Sequence, residues 1–79
     1  MTEKVYYVRN RIKAVLADKG VRGIELAERL GIHENTVAKW NNKNGTQCQP
    51  TIYMLGRIAN ALDVDVKELI QSIKPVENE

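Results

Sequence analysis

Seventy-nine residues, 43% of them apolar but none Phe, with a formal net charge of only +2, make one small domain with an aliphatic core close to the lower size limit for standing alone. The single cysteine, Cys48, excludes an internal disulfide, and one Cys with one His cannot complete a tetrahedral metal site, so self-association is the expected support for so small a core. No apolar run approaches the ~18 residues that span a bilayer, and the first residues lack the apolar centre of a signal peptide, so a reducing cytoplasm is the expected compartment and no membrane partner is expected.

Met1 to Tyr7 reads as a short leader, and its Val5-Tyr6-Tyr7-Val8 end is β-prone, either extended or the start of a helix. Val8, Ile12, Val15 and Leu16 form a helical stripe closed by Gly20, which predicts a first helix over 6–19. Leu26, Ala27 and Leu30 mark the inner face of a second helix over 23–30, and Gly31 stands where a left-handed residue ends it. Ile32, Val37 and Trp40 supply the apolar face of a third helix over 34–42. Ala27 is small enough for that helix to cross closely. Two short helices across a tight glycine turn are the helix-turn-helix arrangement, whose second helix is shaped for a DNA major groove.

Residues 41–50 are polar, aperiodic and turn-rich, and so form a loop. Thr51 is placed to cap a fourth helix over 52–62, with Ile52, Leu55, Ile58, Ala59 and Leu62 on one face and Asp63 at its end. Asp65 and Glu68 have capping-box spacing ahead of a fifth helix over 66–73, striped by Val66, Leu69, Ile70 and Ile73. Pro75 and a polar tail stop the order. The whole chain thus reads as one all-α domain, residues 1–79, with a core at about 8–73. Charge is uneven along it: residues 9–57 carry nine Lys/Arg against four acids, and residues 58–79 two against five. One pole is therefore suited to a polyanion.

Three segments carry a family likeness: Arg11-Ile12-Lys13 through Gly20; Glu25-Leu26-Ala27-Glu28-Arg29-Leu30-Gly31-Ile32 with Thr36-Val37; and Pro50-Thr51 through Ile58-Ala59-Asn60-Ala61-Leu62-Asp63-Val64, with Glu68-Leu69 following. Over about residues 9–71 the chain resembles the Cro/C1-type (XRE) family of phage and bacterial repressors. The resemblance implies a five-helix, lambda-repressor-like domain with helices 2 and 3 as the helix-turn-helix. It departs from the family pattern at several places. Arg22-Gly23 replaces the usual Thr-Gln at the start of helix 2, so the Gln contact to the DNA backbone is absent. Leu16 and Asn41 replace an Arg–Glu pair, a joint exchange that leaves no charge stranded. The loop before Pro50 is longer than usual.

By this resemblance the start of helix 3 meets base edges. With Val37 and Trp40 inward, the free face carries Glu34, Asn35, Ala38 and Lys39, with His33 and Thr36 at its margins. Asn35 suits adenine, Lys39 guanine, Glu34 cytosine N4, and Ala38 a thymine methyl. Each has a plainer reading: Glu34 also complements the helix dipole, and Asn35 and Lys39 also suit a solvated surface. Backbone contacts are expected from Arg22, Gly23, Thr36, Asn42, Lys43 and Asn44, with Arg11 or Lys13 adding to them. Family members act as two-fold dimers, and Leu69, Ile70 and Ile73 are the expected dimer residues.

The reading that follows is a sequence-specific transcriptional regulator of double-stranded DNA, repressor-like, dimeric, and without cofactor, metal or small-molecule ligand. The alternative is an interaction module on the same fold, such as an antitoxin. Enzymatic function is not expected, because the one Ser, one His and one Cys are scattered and no Gly-rich phosphate loop is present. Cys48 is an exposed oxidisable thiol or, more plainly, an ordinary loop cysteine.

Overall fold

The computed structural model describes residues 7–73. In chain order they form strand β1 (Tyr7–Asn10), helices α1 (Ile12–Lys19), α2 (Gly23–Leu30) and α3 (Glu34–Asn41), a 3-10 turn (Asn42–Gly45), helix α4 (Ile52–Leu62), a second 3-10 turn (Val66–Leu69) and strand β2 (Ile70–Ile73). The fold is therefore mostly helical, with four α-helices and a short antiparallel strand pair in place of the expected five helices.

Both ends of the sequence reading need correction for one reason. Residues 7–10 do not open helix 1; they pair antiparallel with residues 70–73, Tyr7 opposite Ile73 and Asn10 opposite Ile70. The pairing takes the same residues away from a fifth helix. The Asp65–Glu68 capping box does form, with Asp65 Oδ1 accepting the Lys67 N–H at 3.0 Å and Glu68 Oε2 accepting the Asp65 N–H at 3.3 Å. It starts one 3-10 turn, after which Ile70 is extended (φ −130°, ψ 154°). The stripe expected of a fifth helix is split accordingly: Leu69 enters the core, whereas Val66 and Ile70 are exposed. Val8, placed in the first stripe by the sequence, is exposed on the strand. The residues before 7 and after 73, which include most of the β-prone leader, lie outside the described residues.

The helices are held by their ends as much as by their faces. The Ala27–Leu30 end of α2 closes on Gly31, left-handed at φ +70°, and the Ile32 N–H returns to the Ala27 carbonyl at 3.0 Å. Arg57 on α4 donates to the Leu30 carbonyl at 2.8 Å, and Arg29 on α2 donates to the Ala61 carbonyl at 3.1 Å. These two guanidinium groups satisfy carbonyls that a helix end leaves free. Thr51 Oγ1 caps α4 by accepting the Met54 N–H at 3.1 Å. Asp63 ends α4 in the left-handed region at φ +57°.

The core lies where the four helices meet. Ile12, Val15 and Leu16 of α1, Leu26, Ala27 and Leu30 of α2, Val37 and Trp40 of α3, and Ile58, Ala59 and Leu62 of α4 are buried there with Leu69. Ile52, read as part of the α4 stripe, projects beyond this core with Tyr53 and is 87% exposed. Among the described residues no helix is long and apolar enough to cross a membrane.

Candidate nucleic-acid interface

α3 is fixed in rotation by two anchors. Val37 and Trp40, three residues apart, lie on one face of the helix and are almost fully buried. Glu34, Asn35, Ala38 and Lys39 consequently face outward and are exposed, while Thr36 is half-buried at the margin. The free N–H groups at the start of α3 are partly met by His33, whose unprotonated Nδ1 accepts the Asn35 N–H at 3.1 Å. The exposed face thus combines a carboxylate, a carboxamide, a methyl group and an ammonium, side chains of four different hydrogen-bonding characters within two turns.

Beyond α3 the chain makes three successive left-handed residues, Lys43 (φ 52°), Asn44 (φ 56°) and Gly45 (φ 76°). The turn is closed by Thr46, whose N–H and Oγ1 both donate to the Lys43 carbonyl, at 3.1 and 2.6 Å. Asn42, Lys43 and Asn44 are exposed on it, directly after α3.

What holds this turn against the helices is Asn10, the one buried polar side chain among the described residues. Its Nδ2 donates to the Trp40 carbonyl at 2.8 Å and to Gln49 Oε1 at 3.0 Å, with the Cys48 carbonyl at 3.4 Å. Its Oδ1 accepts the Ile12 N–H at 3.2 Å, so the same side chain helps start α1. Gln49 Nε2 in turn donates to the Gly45 carbonyl. Sequence reading missed this residue. Its signal was an Asn two positions ahead of the first core residue of α1, the spacing of a helix cap.

Arg22 and Gly23 begin α2. The Arg22 N–H donates to Glu25 Oε1 at 2.9 Å, and its Nε stands 3.3 Å from the same oxygen. These hydrogen bonds hold the Glu25 carboxyl below the usual carboxylate range. The Arg22 side chain is 79% exposed, so this surface pair leaves the guanidinium within reach of solvent anions.

A second cationic feature was only partly foreseen. Arg9, Arg11, Lys13 and Asn44 line a cleft of about 350 Å³ between the β1–α1 corner and the turn after α3. Arg9 Nε donates to Gln71 Oε1 at 2.9 Å and Arg11 Nη1 to the Glu68 carbonyl at 3.3 Å. Both are anchored by neutral acceptors and keep their charge uncompensated by any described carboxylate. Of the expected dimer residues, Leu69 is fully buried in the monomer core and is withdrawn as a surface group; Ile70 is 39% exposed and Ile73 half-buried. Cys48 is exposed.

Residues 11–75, most of the chain, match the family model of the Cro/C1-type helix-turn-helix DNA-binding domain. The chain belongs to that family. This Cro/C1-type domain is also similar to a solved crystal structure, that of a candidate DNA-binding protein from Bacteroides fragilis. The two are 41% identical and superpose with a TM-score of 0.73, over 81% of this chain and 98% of that one. No curated protein gave a match. The family membership supports binding of double-stranded DNA by a domain whose helix-turn-helix is α2, Gly31 and α3.

Proposed function

We propose that the protein is a sequence-specific regulator of transcription, repressor-like, that inserts α3 into the major groove of a two-fold operator as a homodimer. The observation that carries this reading is the division of α3: Val37 and Trp40 sealed inside, Glu34, Asn35, Ala38 and Lys39 outside. In that pose Asn35 addresses adenine N6/N7 and Lys39 guanine O6/N7. Glu34 accepts from cytosine N4, and Ala38 packs on a thymine methyl. Arg22, the Gly23 N–H at the start of α2, Thr36, Asn42, Lys43 and Asn44 engage phosphates. The cleft of Arg9, Arg11 and Lys13 extends the cationic surface beyond the recognition helix. Repression then needs only occupancy of the operator, since no ligand domain is required for it.

Titrating the protein against duplex DNA at two salt concentrations tests this reading. Six neutralised phosphates in the dimer imply an affinity about 10³-fold lower at 200 mM than at 50 mM salt. Affinity that does not respond to salt would place the function elsewhere, in binding another protein.

A further inference from the structure

The cleft beside the turn after α3 has a composition that folding alone does not call for. Arg9, Arg11 and Lys13 line it with Ala14 and Ala17 of α1 and with Asn44, and among the described residues no carboxylate does. Three like charges around one cleft repel, and an acid among them would relieve that repulsion. The chain supplies neutral acceptors instead.

A guanidinium carries five N–H donors, and its edges offer them in parallel pairs that fit an oxyanion. Arg9 commits Nε to Gln71 Oε1 at 2.9 Å and keeps its Nη1–Nη2 edge. Arg11 commits Nη1 to the Glu68 carbonyl at 3.3 Å and keeps its Nε–Nη2 edge. Neither remaining edge has a hydrogen-bond partner among the described residues. The Glu68 carboxylate does not join them, because its Oε2 accepts the Asp65 N–H at 3.3 Å. Gln71 lies opposite Arg9 in the strand pair, and Glu68 stands just ahead of β2. The returning strand thus holds two guanidinium forks in place without cancelling their charge. Donors ordered before a ligand arrives lose less entropy on binding it.

At about 350 Å³ the cleft exceeds the needs of a lone phosphate and falls at the lower end of small-ligand sites, roughly 300–1,000 Å³. Ala14 and Ala17, three residues apart on α1, give it apolar surface beside the cations. We propose that this cleft binds a phosphate ester. The open edges of Arg9 and Arg11 hold the phosphate, Lys13 adds a point charge, and the carbon body rests on the two alanines. The chemistry is that of a sugar phosphate, whether a free ester or one unit of a DNA strand. The site is separate from the outward face of α3 and does not depend on operator recognition.

Titration of the full chain with deoxyribose phosphate at constant ionic strength, followed by amide and arginine Nε–H NMR signals, tests it. Saturable shifts are expected at Arg9, Arg11, Asn44 and Gly45. Arg11→Gln should weaken binding about tenfold or more, by removing one charged fork. Gln71→Glu is the sharper variant, since it keeps Arg9 anchored but cancels its charge. Binding should again fall about tenfold, with no loss of melting temperature. A parallel titration with duplex DNA separates the two sources. If a DNA strand supplies the phosphate, Arg11→Gln lowers the slope of log affinity on log salt by about 0.9 per subunit. If a free ester is the ligand, that slope is unchanged while the ester still saturates the cleft. Failure to bind DNA at all touches only the operator reading, because the ester titration needs no DNA. Shifts that never saturate, together with an unchanged salt slope, would overturn the proposal. So would saturation that neither variant weakens.

Discussion

Gly45→Ala is expected to lower the melting temperature by roughly 12–25 °C, the equivalent of about 3 kcal/mol in a domain of this size. Two costs coincide at this position. Its φ of +76° is strained for any residue with a Cβ, at about 1–3 kcal/mol. The new Cβ would also press on the Asn10 carbonyl oxygen and stand 2.9 Å from Asn10 Oδ1. Asn10 has nowhere to retreat, because its side chain is bonded at once to Trp40, Gln49 and Ile12. Moving it strands buried polar groups, each worth about 1–3 kcal/mol. Gly20→Ala is the control: its φ is also positive, at +66°, but nothing lies within 4 Å of the added Cβ. It should show the strain alone. Equal losses for the two variants in thermal denaturation would mean that the contact between the turn and Asn10 carries no weight.

The second large effect is on affinity. Asn35→Ala and Lys39→Ala should each weaken binding to the specific site by about 1–3 kcal/mol and relax preference at one base pair, as removal of a base contact does. Both side chains are exposed, so stability should stay within about 0.5 kcal/mol of the parent. The two residues are four apart on one helix face and address neighbouring bases, so the double variant need not show the sum. Filter binding or anisotropy with operator and scrambled duplexes separates the outcomes. Loss on the operator alone marks base reading. Equal loss on both duplexes would assign these side chains to phosphates.

Helices α2 and α4 were legible to the residue, because each carries its own punctuation: Gly31 after Leu30 in one, Thr51 before Ile52 in the other. The exposed face of α3 was legible as well, since the phase of Val37 and Trp40 settles which positions remain outside. What was hidden depends on partners distant in the chain. Residues 7–10 and 70–73 carry an apolar spacing compatible with a helix. They are extended because each supplies the other's ladder, across sixty or more positions of sequence. Local periodicity contains no trace of that pairing, although the β-prone Val5-Tyr6-Tyr7-Val8 run was half of the signal. The buried Asn10 was hidden for a related reason. A single Asn gives no hint from its neighbours that the end of α3 and the following loop will supply its acceptors.

Selecting bound sequences from a library of random duplexes asks whether the outward face of α3 reads base pairs. A two-fold symmetric site with half-sites about 34 Å apart should be enriched, with a consensus that changes when Asn35 or Lys39 is replaced by alanine. A pool that shows no enrichment, or a consensus identical for the parent and both variants, would contradict it.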